Sequence, residues 1–235
     1  MSTVLLSVRQ LSSGYGSSAV LRDVSLDIAK GEIVVVLGKN GMGKSTLLKT
    51  IMGFVRPFGG SVMLDSKDVT GDQPHLMARS GIAHAPQEHT LFPDLSVEDN
   101  MKLGVASDLL FRQRLGAIES LFPRMLERLK QRAGTLSGGE QKMLLMSRAL
   151  IAQPRLMLID EISEGLQPAM VDRMAETLLR ARDELGIAVL LVEQNLDFAL
   201  SVANRYAVLK LGEIVEHGVV DSVTSAQRLS DHLMV

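Results

Sequence analysis

The chain has 235 residues, 25 Lys and Arg against 27 Asp and Glu, a formal charge of −2, and neither Cys nor Trp. At about 150 residues per domain this is one large domain or two small ones, long enough to bury a core without disulfides or metals. The lack of Cys excludes disulfide frameworks, zinc fingers, iron–sulfur ligation and a thiolate nucleophile, and the near-neutral charge argues against a general nucleic-acid binder.

Hydrophobic residues make up 46% of the chain but aromatics only 3%, against 13 Met, so the core is expected to be aliphatic. No apolar run approaches the roughly 20 residues that span a bilayer. Met1 to Leu11 lacks a cationic segment followed by a long apolar one, so no signal peptide is expected. These features, with the missing Cys, fit a soluble chain in a reducing compartment.

Val24-Ser25-Leu26-Asp27-Ile28 alternates with period two, the pattern of a half-exposed antiparallel strand. Ile33 to Leu37 is a β-branched run suited to a strand covered on both faces. A helix is expected over Thr46 to Ile51 and a strand over Ser61 to Leu64. A short run, Gly81-Ile82-Ala83, precedes Pro86 and Gln87. From about Ser96 to Ala152 the pattern is mainly helical, with Ser96 and Asp99 at capping-box spacing and Pro123 the one proline. Leu156 to Ile159 and Ile187 to Val192 read as further buried strands, Tyr206 to Leu209 as another, and Ser222 to Val235 as a short helix. Alternating strands and helices indicate an α/β core drawn from both ends of the chain, with a helical insertion between them.

Three segments carry chemistry. Gly38-Lys39-Asn40-Gly41-Met42-Gly43-Lys44-Ser45 follows the first buried strand and matches G-x-x-x-x-G-K-[ST]. Its glycines let backbone N–H groups converge on phosphate oxygens, and the helix that follows adds a positive dipole end. Lys44 is placed to reach β- and γ-phosphates and the Ser45 hydroxyl to ligate Mg²⁺. Gly38, Asn40, Gly41, Gly43, Lys44, Ser45 and Thr46 are the candidate nucleotide contacts.

The second segment, Leu156-Met157-Leu158-Ile159-Asp160-Glu161, is an apolar run ending in two carboxylates. A buried strand of this kind delivers Asp160 to the carboxyl edge of the sheet, where it suits Mg²⁺ coordination. Glu161 points elsewhere and suits polarising a water for attack on a γ-phosphate. In isolation such a pair is common and reads by default as surface carboxylates; beside a phosphate loop it reads as half of a nucleotide hydrolase. The third, Leu136-Ser137-Gly138-Gly139-Glu140-Gln141, combines an N-cap with two glycines that expose backbone N–H groups to an anion, and a plain capped loop explains it as well.

Taken together and in this order, the motifs resemble the ATP-binding subunit of an ATP-binding-cassette (ABC) transporter, over essentially the whole chain. The resemblance implies a P-loop NTPase (RecA-like) core with an antiparallel β subdomain and an inserted α-helical subdomain. The core would take about residues 1–87 and 154–235, and the helical subdomain about 88–153. It implies that Leu136 to Gln141 is the signature motif, with Ser137, Gly138, Gly139 and Gln141 meeting ATP held by an opposing subunit. Two ATPs would lie between two ATPase subunits, either two copies of this chain or this chain and a homologue. Gln87 would meet Mg²⁺ and water, and Tyr15 would stack on adenine. Glu161, Gln194 and Lys44 would be the catalytic groups; Ser45, Gln87 and Asp160 would hold the metal.

Two departures from the family pattern stand out. Ile162 takes the usual Pro position and Gln167 the usual Asp; Gln194 stands where the family usually has His, and Gln hydrogen-bonds but carries no proton. Val192-Glu193-Gln194-Asn195, Ser163-Glu164-Gly165-Leu166-Gln167-Pro168 and the run from Gln131 to Gln141 resemble the shorter ATPase of bacterial importers for branched-chain amino acids, amides and urea. That branch implies two membrane permeases and a periplasmic binding protein as partners, no nucleic acid, and a peripheral position on the cytoplasmic face of the inner membrane. The segment near Glu88 to Asn100, with Leu91-Phe92-Pro93, would meet a permease. A urea importer ATPase and a non-transport ABC ATPase are the alternatives.

Overall fold

In a computed structural model that describes residues 3–87, 91–220 and 229, two long antiparallel strands come first, β1 (Val4–Tyr15) and β2 (Ser18–Ala29). In β2, Val24, Leu26 and Ile28 are buried while Ser25 is exposed, as the alternation requires. After β3 (Ile33–Leu37) and α1 (Lys44–Ile51), the strands β4 (Pro57–Leu64) and β5 (Lys67–Asp68) return to this sheet, which has the order β2-β1-β4-β5. Helix α2 (Pro74–Arg79) leads to β6 (Ile82–Ala85).

A helical stretch follows: α3 (Val97–Lys102), α4 (Asp108–Leu121), α5 (Pro123–Glu127), a 3₁₀ turn at Ala133–Thr135, and α6 (Gly138–Ile151). Ser96 caps α3 through the Asp99 N–H, and Pro123 opens α5 rather than breaking a helix. The chain then alternates through β7 (Leu156–Asp160), α7 (Pro168–Leu185), β8 (Ala188–Glu193), α8 (Leu196–Val202), β9 (Arg205–Lys210) and β10 (Glu213–Val219).

The second sheet has the order β10-β9-β3-β8-β7-β6, parallel except for β10. Every residue of β3, β7 and β8 is buried, so these strands read as unbroken apolar runs. Successive side chains of β3 serve two different cores. Ile33, Val35 and Leu37 join the helices of the middle segment and α7 and α8, whereas Val34 and Val36 pack with the first sheet and α1. Each such burial contributes about 2 kcal/mol, which fixes β3, and the loop after it, between the two layers.

Strands β1 and β10 and helices α2, α7 and α8 go beyond the sequence expectation. Strand β10 is an edge strand with no buried residue, so its sequence carries no core pattern. Among the described residues no helix is long and apolar enough to cross a membrane. The short helix expected over Ser222 to Val235 lies outside the described residues except for Leu229, which is buried. Glu88, His89 and Thr90, at the start of the expected permease-contacting segment, also lie outside them.

Candidate active site: phosphate loop, twin carboxylates and the capped helix

Strand β3 ends at Leu37 and the chain turns at once into the Gly38–Gly43 loop, with Lys44 and Ser45 already in the first turn of α1. Glycine is required at Gly43, whose φ is +105° and where a Cβ would lie 2.9 Å from Leu21 Cδ2; at Gly38 a Cβ would lie 2.6 Å from the Leu209 carbonyl. Val20, Asn40, Gly41, Gly43, Lys44, Ser45, Thr46, Gln87 and Glu161 line one cleft of about 400 Å³. Tyr15 closes β1 and is 53% exposed, an open ring face at the hairpin whose Val20 lines that cleft.

Lys44 is 3% exposed, and its ammonium donates to the Gly38 carbonyl at 2.6 Å and the Lys39 carbonyl at 2.9 Å while pairing with Glu161 Oε1 at 2.8 Å. Asp160 ends β7 two strands away from β3 in the sheet, and burial pushes its carboxyl up despite a hydrogen bond from Ser45 and the nearby Lys44 cation. Asp160 Oδ1 is buried with no partner among the described residues. A Ser hydroxyl beside an orphaned carboxylate oxygen fits a hard, oxygen-seeking divalent cation; no cluster of three His, Cys, Asp or Glu occurs among the described residues, and a phosphate-bridged ion needs none.

Glu161 is also 3% exposed, and its φ of +46° is a left-handed backbone that a non-glycine residue adopts at a cost. Gln87, beyond β6, donates its amide to Glu161 Oε2 at 2.9 Å and to Glu164 Oε2. It therefore meets the carboxylates rather than Ser45. The Gln194 side chain is exposed on the loop after β8 and does not line the cleft.

Ser137 caps α6 in a full capping box with Glu140, whose carboxyl is held below its usual range by the Ser137 N–H and hydroxyl. Ser137, Gly138 and Gly139 line a second cleft with Leu166 and Met170, distinct from the phosphate-loop cleft. Gln141 turns inward to the Ala133 and Leu136 carbonyls. The chain thus keeps the Gly38–Gly43 loop and the Ser137–Gly139 turn in separate clefts.

Three features escaped the sequence reading. Glu164 shares Gln87 with Glu161. Lys142 donates to backbone carbonyls of the segment after β7. Glu193, 1% exposed, accepts from the Ser163 N–H and hydroxyl at 2.9 Å each. For Glu193 there was a signal, a carboxylate ending an apolar strand run as Asp160 does.

A strand, a glycine-rich loop over a helix N-terminus, and a strand-end Asp-Glu pair reaching the loop's lysine define a P-loop nucleotide-binding ATPase. Residues 21–164 match the family model described as ABC transporter. The high-affinity branched-chain amino acid transport ATP-binding protein BraG of Pseudomonas aeruginosa is 39% identical over 97% of this chain and 98% of its own. A probable branched-chain amino acid transport ATP-binding protein, LivF of Archaeoglobus fulgidus, is 34% identical over 95% and 96%. A dimeric post-hydrolysis structure of an ATP-binding cassette bound to ADP and phosphate superposes with a TM-score of 0.80 at 25% identity, covering 93% of this chain and all of that one. The chain belongs to the ABC transporter family, as an ATP-binding cassette ATPase.

Proposed function

We propose that this chain hydrolyses Mg²⁺-bound ATP to drive a membrane importer for branched-chain amino acids. The observation that carries the hydrolytic reading is the convergence of Lys44, Gln87 and Glu161 on one cleft beside Asp160 and Ser45. The names of BraG and LivF support the cargo.

Backbone N–H groups of Gly41, Gly43 and Lys44 and the α1 N-terminus bind the phosphates, and Tyr15 stacks on adenine. Lys44 exchanges the Gly38 and Lys39 carbonyls for β- and γ-phosphate oxygens, which also frees Glu161. Ser45 and Asp160, with Gln87, would hold Mg²⁺, which would supply neutralisation of phosphate charge. Glu161 draws a proton from the attacking water, so that ATP and water give ADP and phosphate. Ser137, Gly138 and Gly139 of an opposing ATPase subunit complete the site, a reading supported by their separation from the phosphate-loop cleft and by the dimeric cassette.

The helical segment of about 88–153 acts as a subdomain that docks the permeases. Within it, Leu91, Pro93, Gly138 and Lys142, with Gln87 at its border, line a groove of about 440 Å³, and Phe92 is 55% exposed. In this reading the chain sits at the cytoplasmic face of the inner membrane and drives permeases that take cargo from a periplasmic binding protein. The test is reconstitution in vesicles with branched-chain amino acid permeases, a partner ATPase and a periplasmic binding protein: ATP-dependent leucine uptake, abolished by EDTA, supports the reading, and uptake of urea but not leucine overturns the cargo.

A further inference from the structure

Lys142 lies one turn into α6, the helix that begins at the Ser137 cap, and its side chain runs to the segment that follows β7. Its ammonium donates to the backbone carbonyls of Glu161 at 3.2 Å, Ile162 at 3.0 Å and Glu164. Three carbonyls exhaust the three donors of an ammonium. The first belongs to the residue with φ +46°, a conformation that costs energy for any residue but glycine and persists only where neighbours over-determine it.

The neighbours can be named. On one side the Glu161 N–H donates to the Val192 carbonyl of β8 at 3.0 Å, and Glu193 at the end of that strand holds Ser163. On the other side the only side-chain cation on the Glu161, Ile162 and Glu164 carbonyls among the described residues is Lys142. The Glu161 side chain itself is occupied with Lys44 and Gln87. Burial lowers the pKa of the Lys142 ammonium, against the opposing attraction of Glu164, Glu193 and Glu161.

We propose that Lys142 is a positioning residue for hydrolysis: it locks Glu161 in its left-handed backbone and ties that carboxylate to the helix whose first turn carries Ser137, Gly138 and Gly139. The inference rests on Glu161 being the group that activates water. Because Ser137 to Gly139 serve an opposing subunit's nucleotide while Glu161 serves its own, Lys142 spans the two duties of one chain.

The test compares wild type with Lys142→Met, Lys142→Gln, Lys142→Arg and Glu161→Gln, reading phosphate release against ATP concentration and amide hydrogen exchange. Lys142→Met is expected to lower kcat about tenfold or more with KM changed less than about threefold, the signature of a misplaced catalytic group. Exchange should accelerate in peptides covering 160–165 and stay unchanged in β3 and β8. Lys142→Arg, which also presents several donors, is expected to recover most of the rate. Lys142→Gln, able to satisfy fewer carbonyls, should fall between, and it serves if the Met variant does not fold. A wild-type kcat in both Met and Gln variants overturns the inference, as does a loss of kcat accompanied by accelerated exchange throughout the chain. If Glu161→Gln hydrolyses ATP at the wild-type rate, the underlying assignment of Glu161 fails instead.

Discussion

Replacing Lys44 by Met while leaving Glu161 in place strands a carboxylate that is 3% exposed and loses a 2.8 Å ion pair. Breaking a buried pair by removing one partner costs about 3–5 kcal/mol, because the survivor keeps its desolvation penalty. The Gly38 and Lys39 carbonyls lose their ammonium as well, at 2.6 and 2.9 Å, so the upper half of that range applies. At roughly 2–4 °C per kcal/mol for a chain of this size, the melting temperature without nucleotide should fall by roughly 10–15 °C. Glu161→Gln removes the charge and leaves Lys44 its two carbonyls, so it should cost less. The double variant has neither member of the pair left to be stranded, and its loss should fall short of the sum of the single losses by about 2 kcal/mol. Urea unfolding of the four proteins, without nucleotide or Mg²⁺, closes the cycle. Additivity within about 0.5 kcal/mol would refute the reasoning and reduce the pair to the worth of a surface bridge.

Ser137→Arg should leave ATP affinity of the isolated chain unchanged, because Ser137 lies outside the phosphate-loop cleft, yet lower turnover at least about a hundredfold; equilibrium ATP binding and phosphate release check the two halves, and lost affinity would contradict the assignment to an opposing site. Burial, helped by Lys49, holds His84 at about 4 against its usual 6.5, with Nε2 buried and unpartnered beside the Phe54 ring. The unfolded chain therefore takes up this proton more readily, so the stability the neutral ring contributes is fully present above pH 6.5 and is lost as pH falls towards 4. Between pH 7 and pH 5 the loss from this one group is about 2 kcal/mol. Urea unfolding at the two pH values should show His84→Phe losing about that much less than wild type; equal losses would contradict it.

The elements legible in the sequence were those whose burial is written locally. Strands β3, β7 and β8 are buried on both faces and so appear as apolar runs, and the phosphate loop is legible because Gly38 and Gly43 are demanded by close approach and by a left-handed backbone. The Ser137 cap was legible because its partner, Glu140, is three residues on. What escaped depends on distant packing. Lys142 reads as an ordinary helix lysine until the fold brings it to the Glu161 carbonyl 19 positions away, and Glu193 finds Ser163 across 30. Strand β10 escaped for the opposite reason, since its inward positions Ile214, Glu216 and Gly218 are only half-buried and chemically mixed, so its sequence shows no apolar period. Gln194 was picked out by its place after β8, and the fold leaves it exposed and outside the cleft that holds Lys44 and Glu161.

The central claim is that Glu161 activates water for ATP hydrolysis in the cleft it shares with Lys44. Phosphate release from Mg²⁺-ATP, measured side by side for wild type and Glu161→Gln at matched ATP occupancy, tests it most directly. The account predicts steady release by the wild-type protein and release at least about a hundredfold slower by the variant, with ATP still bound. Equal rates from the two proteins would contradict it.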